Sequence, residues 1–518
     1  MKLRNNWLIV LLIASALLIR IVPIDAPFFT SDEARIAIRG HLLATSGQDE
    51  LGRSFPLLFN SLTDYQLPAV SYLTAFGEIF FGKSDFGVRI PFILLGTVLV
   101  LLVYKIAQFL SPRKEFHLLT AAVVAFSPVL IFFSKTPNEF ILLLFLLTAL
   151  FYSLIETRPN TKIIYLLITL LSVSSKFAWF IIAPFCLLTL IFFPNHLLKK
   201  TKIKIALTSI LISCLALIIF LQVPQSERSL KENNFSIFSD ITIKNGINQL
   251  RGQGLVAHWP PLLDKILFNK IHFLIVGFLN WFSQLQPAVI FGSANISLLQ
   301  KVLIIPFLVG LILIIKRGER GQIMLLFYPL ILTYPLFFLS LNYNNGLLLL
   351  IMPFISLIVA FGFMNVKRLI KIFIVSFLIF ELGINFGANE LRPVWVKEMI
   401  LQVLTKSSGQ NLAISDDLTQ DIAPFVQWFG KVDQGDYKDI TYPYRFRQSK
   451  ISDIKIIGSE RVFYKCSFDK PTYIIASIRD VKEIERWLNV KKEEITIKIF
   501  KDNWGDEVAT FFEPTICV

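Results

Sequence analysis

Long apolar stretches separated by short basic clusters are the feature that most restricts the fold of this chain. The first stretch runs from Trp7 to Val22, and comparable stretches recur to about residue 385. A helix of about 20 apolar residues is long enough to cross the hydrocarbon core of a bilayer. Charged residues make up only 17% of the chain, against about 25% in soluble domains. The sequence therefore predicts a polytopic α-helical membrane protein.

The basic clusters indicate how the chain is oriented in the membrane. They lie between apolar stretches and form no single patch: Lys2/Arg4, Arg113/Lys114, Arg158/Lys162, Lys199 to Lys204, Lys316 to Arg320 and Lys367 to Lys371. Lys and Arg accumulate in cytoplasmic loops of membrane proteins, so the net charge of +14 reports orientation and no nucleic-acid partner. We expect about 11 transmembrane helices in the plasma or inner membrane. Among them are one over Phe116 to Phe133, one over Gln322 to Leu341, and a hairpin over residues 161–193 that is broken near Ser175. The N-terminus is then cytoplasmic and the C-terminal part extracytoplasmic.

The chain is predicted to form two domains. Residues 1–387 form the transmembrane domain, with large outer loops at 23–87 and 222–298. Within them, the apolar segment Pro68 to Phe81 is short for a span and is predicted to be an interfacial helix. The segment 271–291 is predicted to be re-entrant or interfacial. Strand-like and helix-like segments alternate over 388–518, which is typical of a small α/β domain.

A short acidic stretch, residues 30–34, follows the first apolar run on the predicted outer side. Ionisable groups at such a position are costly unless they have a partner or a task. A sugar transfer needs a carboxylate that removes the proton of the acceptor, and Asp32 is the candidate base. Glu33 and Asp64 are candidates to bind a metal, to orient the acceptor or to position Asp32. A simpler alternative is that Ser31 or Asp32 caps a helix over Glu33 to Leu43.

Basic side chains on the outer side are candidates to bind a phosphate leaving group: Arg35, Arg53, Arg89, Lys135, Lys176 and Arg251. Simpler alternatives exist for several of them. Arg35 and Arg39 fit a solvated helix face, Arg89 a snorkelling side chain, and Lys135 with Glu139 a surface pair. His258 is either an imidazole ligand or an ordinary loop histidine. Composition and spacing alone therefore indicate an outer-face membrane enzyme or a transporter.

Several motifs in the first outer loop occur in an order that is specific when they are taken together. They are Ser31-Asp32-Glu33-Ala34-Arg35, the run from His41 to Gly52, Phe55-Pro56-Leu57, Asp64-Tyr65-Gln66-Leu67-Pro68 and the run from Phe81 to Pro91. This order resembles bacterial members of the protein O-mannosyltransferase and aminoarabinose transferase group of the GT-C superfamily. The likeness continues weakly at Ser134 to Glu139.

The resemblance implies a GT-C-like fold and an inverting glycosyltransferase. It implies a polyprenyl-phosphate sugar donor and a protein, lipid or glycan acceptor at the extracytoplasmic face. Asp32 then matches the catalytic carboxylate, with Glu33 beside it. A divalent metal (Mg, Mn or Zn) is often present in such enzymes, with Asp64 and His258 as the candidate ligands here. The residues expected at the substrate or phosphate are Arg35, Asp64, Arg89, Lys135, Glu139 and Arg251.

The chain also departs from the pattern of this family. Gln66-Leu67-Pro68 replaces the common Lys-Pro-Pro, and Lys135 replaces an arginine, which keeps the charge but loses the bidentate fork. The outer turn from Asn342 to Gly346 lacks the basic residue of many relatives. These departures keep open the alternative of a non-catalytic relative. A ligase or polymerase of lipid-linked glycans is a second alternative, and a third, a transporter, is disfavoured because few ionisable residues lie within the apolar stretches.

Overall fold

The structure is a computed structural model of the chain. It describes residues 7–22, 30–60, 65–157, 159–192, 199–221, 237–238, 240–256, 260, 270–292, 299–318, 320–338, 345–389, 395–406, 411–415, 418, 423–429, 449–451, 454–457, 468–477, 481–482, 485, 492–501 and 507–517. The chain forms two compact units. The first comprises residues 1–23 and 92–386, and the second comprises 24–91 and 387–518. The first outer loop thus belongs to the same unit as the C-terminal part, which differs from the predicted division near residue 387.

Most of the described chain is helical. The helices are α1 (Trp7–Ile21), α2 (Ser31–Ser46), α3 (Pro68–Phe81), α4 (Asp85–Leu110), α5 (Lys114–Ala125), α6 (Pro128–Ser134), α7 (Glu139–Ile155), α8 (Thr161–Ser174), α9 (Lys176–Phe192), α10 (Lys199–Leu221), α11 (Ile241–Val256), α12 (Lys270–Gln284), α13 (Pro287–Gly292), α14 (Ile304–Arg317), α15 (Arg320–Thr333), α16 (Met352–Asn365), α17 (Arg368–Asn389), α18 (Trp395–Lys406), α19 (Ala423–Phe429) and α20 (Lys492–Ile495). Short 3₁₀ helices lie at Lys301–Leu303, Tyr334–Phe338 and Asn345–Ile351.

Three described helices are long and apolar enough to cross a membrane: Asp85–Leu110, Lys199–Ile219 and Gly346–Asn365. The pair α5 and α6 makes a fourth if its two helices, bent by 58°, form one span. Other apolar helices, among them α1, α7, α8 and α9, have 10–17 residues. Membrane-compatible helices are therefore present, while the total of about 11 spans and the orientation of the termini stay predictions.

Two predicted helices are interrupted, each at a proline. The segment Phe116 to Phe133 was expected to be one helix, but α5 ends at Ala125 and α6 begins at Pro128. Ser127 caps α6 by accepting a hydrogen bond from the Leu130 amide. Proline suits the first turn of a helix and cannot continue one, which explains the break. Likewise, α15 passes into a 3₁₀ helix that contains Pro335. The predicted break near Ser175 is confirmed, because that residue is extended between α8 and α9.

The second unit contains the sheets. In the first outer loop, β1 (Phe59–Asn60) pairs with β2 (Tyr65–Gln66). The C-terminal strands are β3 (Asn411–Ser415), β4 (Ser449–Ile451), β5 (Ile454–Ile457), β6 (Phe468–Ser477), β7 (Thr496–Lys501) and β8 (Glu507–Cys517), in the order β4-β5-β3-β6-β8-β7. β3 is parallel to both neighbours, and the other pairings are antiparallel. The C-terminal sheet agrees with the strand-like segments expected over 388–518, while a separate domain over these residues stays a prediction.

Helix α2 packs tightly against α3 within this unit. The helices meet at Gly40, where an added Cβ would lie 2.6 Å from the Cγ2 atom of Thr74. The bounds of α3 coincide with the predicted interfacial helix. Its Thr74, Gly77 and Glu78 are buried, whereas Phe76 and Phe80 are exposed. This distribution suits a helix that packs on protein with one side, and its position at the membrane surface stays a prediction.

Candidate functional site

The acidic stretch forms the first turn of α2. Thr30 is the N-cap, and its side chain accepts a hydrogen bond from the Glu33 amide. The sequence alternatives, Ser31 or Asp32 as cap, are therefore wrong by one or two residues. Asp32 and Glu33 lie at the positive end of the helix dipole, which favours carboxylates. The helix ends at Gly47, whose φ of 67° is readily adopted by glycine.

The two neighbouring acids lie in opposite environments. Asp32 is exposed, while Glu33 is only 4% exposed. Successive helix residues point about 100° apart, so one cap can direct one carboxylate outward and the next into the protein. Asp32 is therefore accessible to a substrate, and Glu33 requires a partner inside the protein.

That partner is Arg89 of α4. Its Nη2 atom lies 3.2 Å from Oε2 of Glu33, and both side chains are almost completely buried. Burial raises the pKa of the Glu33 carboxyl to about 7, and the Arg89 guanidinium opposes this rise. The carboxylate of Asp85, one helical turn before Arg89, adds to the rise. The alternative that Arg89 snorkels to the surface is wrong, because the residue is 0% exposed.

Arg39 and Gln66 show how the first outer loop accommodates one departure from the family pattern. The Nε and Nη2 atoms of Arg39 each lie 2.8 Å from Oε1 of Glu50. Its Nη1 atom donates a hydrogen bond of 2.7 Å to the side-chain oxygen of Gln66. The alternative of a solvated face is therefore wrong for Arg39, which is 6% exposed. Arg35, on the same helix, is half-buried.

The remaining predicted site residues are placed as follows. Lys135 follows α6 in the first unit, is 4% exposed, and donates a hydrogen bond of 3.2 Å to the Val22 carbonyl. Its burial excludes the alternative of a simple surface pair. Glu139 begins α7 after its cap Asn138, and Arg251 is half-buried on α11. Asp64 and His258 lie outside the described residues.

The resemblance implies a metal, and the described residues offer no ready site for one. Within the ranges that the structure describes, no group of three or more His, Cys, Asp or Glu side chains could hold a metal ion. Glu33 is already paired with Arg89. Asp64 and His258, the two candidate ligands named from the sequence, lie outside these ranges.

Arg20 is a buried cation that was not among the site residues predicted from the sequence. It is 0% exposed in α1, and its Nη1 atom donates hydrogen bonds to the carbonyls of Ala16 and Ala125. Ala125 is the last residue of α5, so Arg20 satisfies a carbonyl at a helix end. A single arginine inside an apolar run was the available signal, since such residues rarely occur in spans without a role.

Comparison with known proteins agrees with the resemblance. Residues 66–220 match the family described as dolichyl-phosphate-mannose-protein mannosyltransferase. This match covers only part of the chain and agrees with the family resemblance noted from the sequence; Asp32 and Glu33 precede the matched range. No curated protein sequence matches the chain.

Solved structures give a likeness of fold. The apo oligosaccharyltransferase of Archaeoglobus fulgidus is 11% identical, with a TM-score of 0.50 over 98% of this chain and 74% of the other. Its complex with Zn and sulfate gives 12% identity and a TM-score of 0.47 over 96% and 72%. ArnT from Cupriavidus metallidurans bound to undecaprenyl phosphate gives 11% identity and a TM-score of 0.43 over 98% of both chains. At this low identity the first likeness is one of overall fold alone.

Proposed function

We propose that this chain, whose residues 66–220 match the dolichyl-phosphate-mannose-protein mannosyltransferase family, transfers a sugar from a polyprenyl-phosphate donor to an acceptor at the extracytoplasmic face. The acceptor is a protein, a lipid or another glycan. The observation that carries this proposal is the exposed carboxylate of Asp32 at the start of α2, beside the buried pair of Glu33 and Arg89. This pair fixes the helix start from which Asp32 projects.

Asp32 acts as the general base in the proposed reaction. Its carboxylate takes the proton of the acceptor hydroxyl while the acceptor oxygen bonds to the anomeric carbon. The bond from that carbon to the phosphate oxygen breaks, and the polyprenyl phosphate leaves with the electron pair. Attack opposite to the leaving group inverts the configuration at the sugar carbon.

The basic residues have different proposed roles according to their environment. Arg35, on the same helix as Asp32, is proposed to meet the phosphate of the donor, and Lys135 and Arg251 of the first unit stay candidates for a phosphate contact from the sequence. For Arg89, burial and its bond to Glu33 favour a positioning role over the phosphate contact expected from the sequence. Lys135 keeps its candidate role because a buried ammonium is attracted strongly to a phosphate that enters its surroundings.

The test is transfer of radiolabel from a set of polyprenyl-phosphate sugars to native membranes by the purified protein. We expect transfer by the wild type and a loss of at least about 100-fold in Asp32→Asn, as is usual when a general base is removed. Glu115→Gln is the matched control, because Glu115 is also exposed in the first turn of a helix. A parallel assay with EDTA tests whether transfer requires a divalent metal.

The outcomes separate the alternatives. Transfer that survives in Asp32→Asn would show that the base is elsewhere. Transfer only from diphosphate-linked glycans would favour the ligase or polymerase alternative. No transfer from any donor by folded protein would favour a non-catalytic relative or a transporter.

A further inference from the structure

Asp85, the first residue of α4, receives two donors from the C-terminal part of the chain. The Nζ atom of Lys397 on α18 lies 2.5 Å from Oδ2 of Asp85. The indole Nε1 of Trp428 on α19 donates to Oδ1 at 3.3 Å. The ammonium of Lys83, two residues before Asp85, lies 5.3 Å from the centre of the Trp428 ring. All of these residues belong to the second unit.

The C-terminal part also packs against the helix that carries the acidic pair. One side of α2 presents Ala34, Ala37, Ile38 and Leu42, whose spacing places them on a single face. This face joins a buried core that includes Phe425 and residues of α18, β3 and β8. Both the helix with Asp32 and the helix with Arg89 are thus held by residues that follow the transmembrane segments in sequence.

Asp85 and Arg89 are four residues apart on α4 and so lie on neighbouring turns of one face. Arg89 in turn bonds Glu33, beside Asp32. We infer that the C-terminal α/β part positions the two acids at the start of α2, Asp32 and Glu33. It does so through the contact of Lys397 and Trp428 with Asp85. Lys397 and Asp85 are positioning residues, since neither is proposed to touch the substrate.

The charges near Glu33 support this inference. Arg89 and Asp85 act on it from α4 with opposite signs, and Thr30 contributes a hydrogen bond at the cap. The negative charge of Asp85 raises the pKa of Glu33, and Lys397 balances that charge. Loss of Lys397 would therefore shift the titration of Glu33 towards higher pH as well as loosen the start of α4.

The test compares Lys397→Met with Lys406→Met, a matched change on the same helix at an exposed lysine. Hydrogen exchange of the peptides covering 31–47 and 85–91 is the first readout, and it does not depend on the proposed activity. The second is the pH profile of kcat for sugar transfer, which rests on the proposed function. Lys397→Arg should restore both, because it keeps the charge.

We expect Lys397→Met to speed exchange in both peptides and to lower kcat about tenfold, a size typical of coupling between contacting charged residues. The rising limb of the pH profile, which reports the ionisation of Glu33, should move to higher pH. The KM for the donor should change little. A merely structural contact would lower thermal stability without moving the pH profile.

Equal exchange and equal pH profiles in Lys397→Met and Lys406→Met would overturn the inference. If Lys397→Met does not fold, Trp428→Phe removes the other donor to Asp85, and the same two readouts decide. If the wild type transfers no sugar, the proposed function fails, while hydrogen exchange still tests the positioning by itself.

Discussion

Replacing Arg89 by Met tests whether this guanidinium sets the charge of Glu33. The two side chains are 3.2 Å apart and nearly inaccessible to water, so Met would remove the positive charge and keep most of the volume. With Arg89 present, the pKa of Glu33 is about 7, so we expect roughly half of the Glu33 carboxyls to be ionised at pH 7. Loss of a close opposite charge raises a carboxyl pKa by about 1 to 3.

This range of pKa shifts sets how much of the ionised Glu33 is lost at pH 7. The ionised fraction at pH 7 would fall from one half to between about 9% and 0.1%, since each unit of pKa changes the ratio tenfold. If transfer requires the ionised pair, activity at pH 7 falls by about 5- to 500-fold and recovers as the pH is raised. The assay is the rate of sugar transfer between pH 6 and 9.5, with Arg113→Met as the control at an exposed arginine.

Two results would refute the reasoning. An unchanged pH profile in Arg89→Met would show that Arg89 does not set the pKa of Glu33. Full activity with an unchanged profile in Glu33→Gln would show that the ionised carboxylate is not needed. The double variant Glu33→Gln/Arg89→Met provides a further check. It should be more stable to heat than either single variant, because each single change leaves one buried group without its partner.

Two glycine substitutions test the packing of each unit through thermal inactivation of the purified protein. Gly40→Ala should lower stability, although alanine usually favours a helix by about 1 kcal/mol, because its Cβ would meet Thr74 at 2.6 Å. Thr74→Ser should recover part of the loss, and a Gly40→Ala variant as stable as the wild type would contradict the packing of α2 on α3. Gly362→Ala should be more severe, since its Cβ would lie 1.7 Å from the Pro306 carbonyl oxygen. Gly246→Ala, with open space around it, should cost nothing, and equal behaviour of these two variants would contradict the close approach of α14 and α16.

Local sequence patterns predicted helix bounds well where the length of an apolar stretch and the residues of a turn determine them. The predicted interfacial helix has the observed bounds Pro68–Phe81, and the break at Ser175 lies where expected. The break before Pro128 was missed because the apolar pattern continues through it. An apolar pattern indicates burial in protein or lipid, but it does not show where a helix bends. Here Pro128 and its cap Ser127 were the residues that indicate the bend.

The pairings at the candidate site were not predictable in the same way. Glu33 and Arg89 are separated by 56 positions, and Asp85 and Lys397 by 312. No local period or spacing encodes such a pairing, because it depends on how helices pack in three dimensions. The grouping of residues 24–91 with 387–518 is of the same kind. A change in composition near residue 388 marks where the C-terminal part begins and cannot indicate which earlier segment it packs against.

The different environments of Asp32 and Glu33 follow from one local choice, the position of the helix cap. With Thr30 as cap, Asp32 projects into solvent and Glu33 points towards Arg89. A cap one residue later would rotate both side chains by about 100° relative to the helix start. The buried salt bridge favours the observed register, because it gives the buried carboxylate of Glu33 a partner. In this arrangement Glu33 is the buried, paired carboxylate and Asp32 is the exposed one, which is the carboxylate proposed to meet the acceptor.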